Sequence, residues 1–248
     1  MKDYAIITAR TSSSRLNGKI LKNIKNNKKS IDILIERAKK LDLPIVLATS
    51  NSKSDLALIN YVKNKYKIGI FKGDLNNTIK RWYKCMKKYK IKNACLIDGD
   101  DLAFDYKSYS EALRLIKRCG NNEALILKDN KKIITGVFTK VINLKAMKIL
   151  NDIFNNKIVD TINWDRIKEK IRIKIYKNDI FFNSKKIRLT LDYKEDLIFF
   201  RKLYSKFKID TNTKILIKFL LKKKEITNIN YFREKSWKLN QKLQIRNN

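Results

Sequence analysis

Tyr4-Ala5-Ile6-Ile7-Thr8-Ala9-Arg10-Thr11-Ser12-Ser13-Ser14-Arg15-Leu16-Asn17-Gly18-Lys19 sets an apolar run of strand length directly against a polar, glycine-terminated loop. Ala5, Ile6 and Ile7 read as a buried strand. Outward from this stretch the same alternation continues. Ser30 can cap a helix through Lys40, with Ile31, Leu34, Ile35 and Ala38 at helical spacing. Pro44 admits a second strand, Ile45 to Ala48, and Ser54 opens a helix whose apolar stripe is Leu56, Ile59, Val62 and Tyr66. A strand from Ile68 to Phe71, a helix from Thr78 to Tyr89 and a strand from Ala94 to Ile97 follow. This order predicts an α/β fold, a Rossmann-like, mostly parallel mixed sheet with helices on both faces. Ligands in such sheets sit beyond the carboxyl ends of the strands. The loops after Thr8, Ala48 and Ile97 are therefore where chemistry is expected.

The second half is less regular. A helix near Lys107 to Arg118 leads to apolar runs at 124–127 and 133–142 that read as strands. Ile187 to Leu191 reads as a strand ending at Asp192, and helices are expected over 195–207 and 213–223. There is no internal repeat and no linker rich in Pro, Gly or Ser. Residues 1–248 read as a single domain, with a variable subregion near 137–185.

Composition removes most catalytic schemes. The 248 residues include no histidine, so a Ser-His-Asp triad, a Cys-His dyad and an imidazole base are all excluded. Cys85, Cys95 and Cys119 form no CxxC pair, and lone thiols of this kind suit a reducing compartment. The formal charge of +34 invites a nucleic-acid partner. Lysine, however, is spread from Lys2 to Lys242 with no confinement to one face or tail, and Trp82, Trp164 and Trp237 share no obvious stacking platform. A nucleic-acid partner is thus disfavoured. No apolar run is long enough to span a bilayer and the N-terminus lacks a signal-peptide pattern, so a cytoplasmic protein without a membrane role is expected.

Two polar clusters carry chemistry. The loop Ala9 to Lys19 offers Arg10, Arg15 and Lys19, three serines and free backbone amides, the donors that phosphate oxygens need. It lacks the GxxxxGK[ST] spacing of a Walker A loop. Asp98-Gly99-Asp100-Asp101 follows the fourth strand, and carboxylates facing a phosphate loop are what Mg²⁺ requires. An Asp-rich helix start, favoured by the helix dipole, is the plainer explanation of the same residues. Asp192 could supply a further carboxylate from a distant part of the chain.

Taken in order, these residues resemble the CTP-dependent sugar cytidylyltransferases. That family includes the sialate and 3-deoxy-manno-octulosonate enzymes and the spore-coat polysaccharide biosynthesis proteins. Ala9-Arg10 with Ser13-Ser14-Arg15-Leu16 and Gly18-Lys19 is similar to the ARxxSxRLPGK signature. Ile45 to Ser50 is similar to IVVATS, and Phe71 to Gly73 with Thr78 to Tyr83 is similar to vfrG…dvldRyy. Ile97 to Asp101 is similar to the GD(D/E)P turn, and Leu189 to Leu197 to lTvDtpeDl. The resemblance implies a GT-A-like nucleotidyltransferase fold, transfer of CMP from CTP to a sugar, expected to be an acidic one, with release of pyrophosphate, for cell-surface glycan synthesis, and a homodimer whose contacts fall in the variable acceptor subregion. It implies that Arg10 and Lys19 hold the triphosphate, with Ala9, Ser13 and Arg15 in the same loop. It further implies that Arg81 assists nucleotide binding, that Gly99 lets the backbone approach the ligand, and that Asp100 and Asp192 bind Mg²⁺. Catalysis would rest on Arg10, Lys19 and Asp100.

Departures accompany the match. Asn17 stands for the loop proline, and Leu102-Ala103 for the Pro-Leu after the acids. In Gly136 to Ile142, which aligns with GldvEvf, Lys140 stands where an acid is expected. A same-fold alternative is a GT-A glycosyltransferase in which Asp98 and Asp100 form a DxD site.

Overall fold

The computed structural model describes residues 1–127, 133–155, 157–159, 164–176 and 186–246. The first half comprises β1 (Lys2–Thr8), a hairpin of β2 (Asn23–Lys25) and β3 (Lys28–Lys29), α1 (Ser30–Lys39), β4 (Ile45–Ser50), α2 (Leu56–Lys65), β5 (Gly69–Gly73), α3 (Thr78–Lys88), β6 (Ile91–Asp98) and α4 (Tyr106–Ile116). The second comprises β7 (Glu123–Leu127), β8 (Lys140–Asn143), α5 (Leu144–Phe154), α6 (Trp164–Ile167), β9 (Arg172–Tyr176), α7 (Lys194–Lys206), α8 (Thr213–Leu221), α9 (Lys224–Thr227) and α10 (Arg233–Arg246).

Among the described residues the main sheet has seven strands in the order β5-β4-β1-β6-β8-β7-β9. β5, β4, β1 and β6 pair in parallel. β8 runs antiparallel to β6 and β7, and β9 is parallel to β7. The expected mostly parallel mixed sheet is what forms. Leu34, Leu58, Leu113 and Phe199 cover one face from α1, α2, α4 and α7. Ile79, Met86, Met147 and Leu150 cover the other from α3 and α5. Burial on both faces explains why these strands read as continuous apolar runs rather than alternating ones. Cys85 and Cys95 are buried within the two layers, whereas Cys119 is half-buried.

Several boundaries shift for local reasons. Ser30 is the first residue of α1 rather than its cap; its hydroxyl donates to the Lys19 carbonyl at 2.8 Å. Asp32 closes that helix end by accepting from the Lys29 amide at 2.7 Å. Before α2, Ser52 caps a single 3-10 turn, Lys53–Asp55, so the stripe slips: Leu58 is fully buried and Leu56 is 49% exposed.

Two expected strands in the second half are replaced by something else. Of the run 133–142, only Lys140–Asn143 joins the sheet. Upstream, Gly136 sits at φ +96°, and a Cβ there would lie 2.0 Å from the Leu189 carbonyl oxygen. Such a crossing admits only glycine. Ile187 to Leu191 joins no ladder beyond an isolated bridge between Thr135 and Arg188. Its amides go elsewhere: Leu189 donates to the Thr135 carbonyl at 2.7 Å, and Leu191 to the Asp100 carbonyl at 2.9 Å. The segment is extended, as its composition requires, but it ties the acidic turn to the 133–136 crossing instead of adding a strand. Much of the variable subregion, including 160–163 and 177–185, lies outside the described residues.

Candidate active site

A cavity of about 590 Å³ opens at the carboxyl ends of β1 and β6. Ala9, Arg10, Ser13, Arg15, Lys19, Arg81, Gly99 and Asp100 all line it. Asp192 does not. The third expected loop, after β4, also stays outside the cavity wall and acts from behind.

The first loop is shaped by groups that the sequence does not advertise. Asp55, fully buried, accepts from the Thr11 amide at 2.6 Å and the Thr11 hydroxyl at 2.7 Å, and from Thr49 at 2.9 Å. Burial pushes its carboxyl up, but hydrogen bonds from Ser50, Thr11 and Thr49 outweigh this and hold it below the usual range. Gly18, at φ +62°, returns its amide to the Thr11 carbonyl and turns the chain into the 3-10 turn that carries Lys19. The Ser13 hydroxyl accepts from the Leu16 amide at 3.5 Å. Arg10 and Arg81 both reach across to the turn before α3: Arg10 donates to the Leu75 carbonyl at 3.1 Å, and Arg81 to the Asp74 carbonyl. Arg81 is 2% exposed, and its guanidinium holds this turn at the cavity wall.

The charges converge at Lys19. Its Nζ lies 2.9 Å from Asp100 Oδ2 and 2.8 Å from Asp192 Oδ1. Burial opposes the ammonium, but the two carboxylates win, and its pKa is pushed up to about 12. Asp192 also accepts from Arg15 Nη2 at 2.7 Å. Burial alone would raise the Asp192 carboxyl; Lys19 and Arg15 instead hold it down to about 2. Burial and the neighbouring Asp192 and Asp98 raise Asp100, against the pull of Lys19. Asp98 is paired with Lys140 at the start of β8, so the lysine that departs from the expected acid is a charge partner within the site. Gly99 lines the cavity and also serves the packing of the turn. A Cβ there would lie 2.6 Å from the Thr8 carbonyl oxygen and 3.0 Å from the Ala9 Cβ, so glycine lets the acidic turn close on β1.

Behind Asp192 lies a buried hub. Arg188, fully buried, donates to Asp196 at 3.0 and 3.2 Å, to Asp192 Oδ2 at 3.2 Å and to Glu234 Oε2 at 3.2 Å. Asp196 accepts in addition from the amides of Asp192 and Tyr193 at 2.8 and 2.9 Å. Arg188 therefore fixes one oxygen of Asp192 and leaves the other facing Lys19. An arginine inside an apolar run is the sequence trace of this hub. Glu234 has none, because the partners that bring it to the hub are 46 and 99 positions away. The three tryptophans, expected to share no platform, all line this one cavity, with Trp237 supplied by α10.

The oxygen-only donor set suits a hard divalent cation. Asp98, Asp100 and Asp101 have carboxylate oxygens within 4.8 Å of one another. The Lys19 ammonium between Asp100 and Asp192 marks a point where two carboxylates already converge on positive charge.

A serine-rich cationic loop after the first strand and an acidic turn after its neighbour, on this sheet, define an α/β nucleotidyltransferase. The sequence model of one family, described as cytidylyltransferase, matches residues 4–242. The chain belongs to the cytidylyltransferase family. Among solved structures, a cytidylyltransferase from Leptospira borgpetersenii serovar Hardjo-bovis is similar at TM-score 0.80 and 23% identity, covering 92% of this chain and 97% of the other. A CMP:2-keto-3-deoxy-manno-octonic acid synthetase complexed with CTP is similar at TM-score 0.58 and 14% identity, covering 83% and 99%. The 4-diphosphocytidyl-2C-methyl-D-erythritol synthase from Anaerococcus prevotii is similar at TM-score 0.58 and 15% identity, covering 82% and 98%. No curated protein sequence matches. Among the described residues, no helix is long and apolar enough to cross a membrane.

Proposed function

We propose that the protein transfers CMP from CTP to a sugar hydroxyl with release of pyrophosphate, in a Mg²⁺-dependent reaction. The observation that carries this reading is the Lys19 ammonium held between Asp100 and Asp192 at the mouth of a serine-rich loop. In this reaction the acceptor oxygen forms a bond to the α-phosphorus of CTP, the bond from that phosphorus to the pyrophosphate oxygen breaks, and the hydroxyl loses its proton. Arg10, Arg15 and Lys19 would bind the triphosphate, and the amides of the Ser12 to Ser14 stretch would add neutral donors. Asp100 and Asp192 would hold Mg²⁺, which when bound neutralises phosphate charge. Positioning and charge neutralisation are the main demands of phosphoryl transfer, so the absence of histidine is no obstacle.

The glycosyltransferase alternative, with Asp98 and Asp100 as a DxD site, is separated by the reaction itself, because it would release no pyrophosphate. The likeness to a CMP:2-keto-3-deoxy-manno-octonic acid synthetase supports an acidic sugar as acceptor, and a cytoplasmic location and a homodimer belong to the same reading. Pyrophosphate release is the test, with CTP, Mg²⁺ and a panel of acidic and neutral sugars. CTP with Mg²⁺ should raise the melting temperature, and Asp100→Ala should abolish the Mg²⁺-dependent part of that rise. Melting temperatures unmoved by every nucleotide would end this reading.

A further inference from the structure

The C-terminal helix poses a question of its own. α10 has no apolar stripe burying it, and Leu239 and Leu243 are 60% and 49% exposed. Polar links fix it instead. Glu234 accepts from Thr135 at 2.8 Å and from Arg188 at 3.2 Å, Arg233 donates to Glu195 at 2.8 and 3.0 Å, and Asn240 donates to the Tyr193 hydroxyl at 3.2 Å. Arg188 also lies 5.5 Å from the Trp237 ring centroid. A helix pinned this way presents Trp237, Lys238 and Gln241, at helical spacing, to the cavity.

The side of the cavity matters. β6, with Asp100 at its end, divides the phosphate loop of β1 and the Arg81 wall of α3 from the 133–138 crossing that leads into β8. Through Glu234 and Thr135, α10 belongs to the second side. We propose that Trp237, Lys238 and Gln241 form the acceptor subsite. The half-buried indole takes the apolar C–H face of a pyranose ring, Gln241 bonds its hydroxyls, and Lys238, whose exposed ammonium lies 3.2 Å from Glu234 Oε1, draws an anionic substituent. This rests on the cytidylyltransferase reading and adds to it the residues and the ring face that select the acceptor. A tryptophan is suited to the task because a rigid apolar plane costs little side-chain entropy to order.

The test separates the two claims. Trp237→Ala and Trp237→Phe would be compared with the wild type for pyrophosphate release, using 2-keto-3-deoxy-manno-octonate, sialate and neutral hexoses as probes. The expected result is an acceptor KM raised about tenfold by Trp237→Ala and less by Trp237→Phe, with the KM for CTP unchanged. Gln241→Ala, which leaves the Arg188 contact intact, should raise the acceptor KM as well. Binding is read independently by tryptophan fluorescence: a sugar-induced change should disappear in Trp237→Phe, while CTP alone should cause the same change in both proteins. If CTP binding weakens with the acceptor KM unmoved, Trp237 serves the nucleotide and the subsite assignment falls. If no sugar supports pyrophosphate release but a sugar-dependent, Trp237-dependent fluorescence change persists, the reaction assignment fails and the subsite stands. Absence of any sugar response in the wild type overturns the subsite.

Discussion

The two halves of the sheet are built on different rules. β5, β4, β1 and β6 are parallel and joined by helices, and the loops beyond the carboxyl ends of β1 and β6 carry this half's main contribution to the cavity. β8 and β7 are antiparallel neighbours, and the residues they bring to the cavity come from a glycine crossing, an unpaired extended segment and the last helix. The first half places its cationic loop at a strand end and ties it to neighbouring strand ends through Asp55 and Arg10. The second positions its groups by long-range polar contacts, above all through Arg188. Parts of one site can thus be held by secondary structure on one side and by a buried ionic hub on the other.

If the hub holds the second half, breaking it should cost most. Asp192→Ala leaves Arg188, Arg15 and Lys19 short of a common acceptor, and Arg188→Ala leaves three carboxylates without their guanidinium. Either should lower unfolding free energy by about 3–5 kcal/mol, measured by urea denaturation. A loss near zero would mean the hub is dispensable, and the contrast between the halves would fail.

The two glycines sharpen the comparison. Gly136→Ala forces a Cβ onto the Leu189 backbone at a positive φ and should cost about 3 kcal/mol. Gly99→Ala, at ordinary φ, meets the Thr8 carbonyl and should cost about 1–2 kcal/mol. Thermal melts of both variants check the order, and a reversed order would place the tighter constraint in the parallel half.

The smallest effect is on pH. Asp192 has its carboxyl held down to about 2 from an ordinary 3.8. A carboxyl depressed by folding contributes stability that is present above the unfolded value and disappears as pH falls through the folded one. Stability should therefore drop between about pH 4 and pH 2, and Asp192→Asn should flatten that part of the profile. An identical acid profile in the variant would show that Lys19 and Arg15 do not depend on this carboxylate.

What was legible follows the same division. Ala5 to Ile7, Ile45 to Ala48 and Ala94 to Ile97 are apolar because both sheet faces are covered, and that pattern is local. The loop Ala9 to Lys19 and the turn Asp98 to Asp101 could be read because strand ends in parallel sheets gather at one edge. Ile187 to Leu191 reads as a strand but, among the described residues, makes only an isolated bridge, because extended composition does not say which partner takes the amides. Asp55 and Glu234 gave no local sign of their tertiary roles, since the contacts that tie Asp55 to Thr11 and Glu234 to Thr135 and Arg188 span 44, 99 and 46 positions.

The chain alone determined the α/β class, the cationic serine-rich loop, the acidic turn and the exclusion of imidazole chemistry, because residue type and short-range periodicity carry that information. Only the tertiary structure decided that Lys19 bridges Asp100 and Asp192, that Lys140 answers Asp98, that Gly99 serves the β1 contact, and that α10 brings Trp237 to the cavity. Those outcomes depend on which distant groups meet when two sheet halves of different pairing close on one another, and no local pattern encodes that meeting.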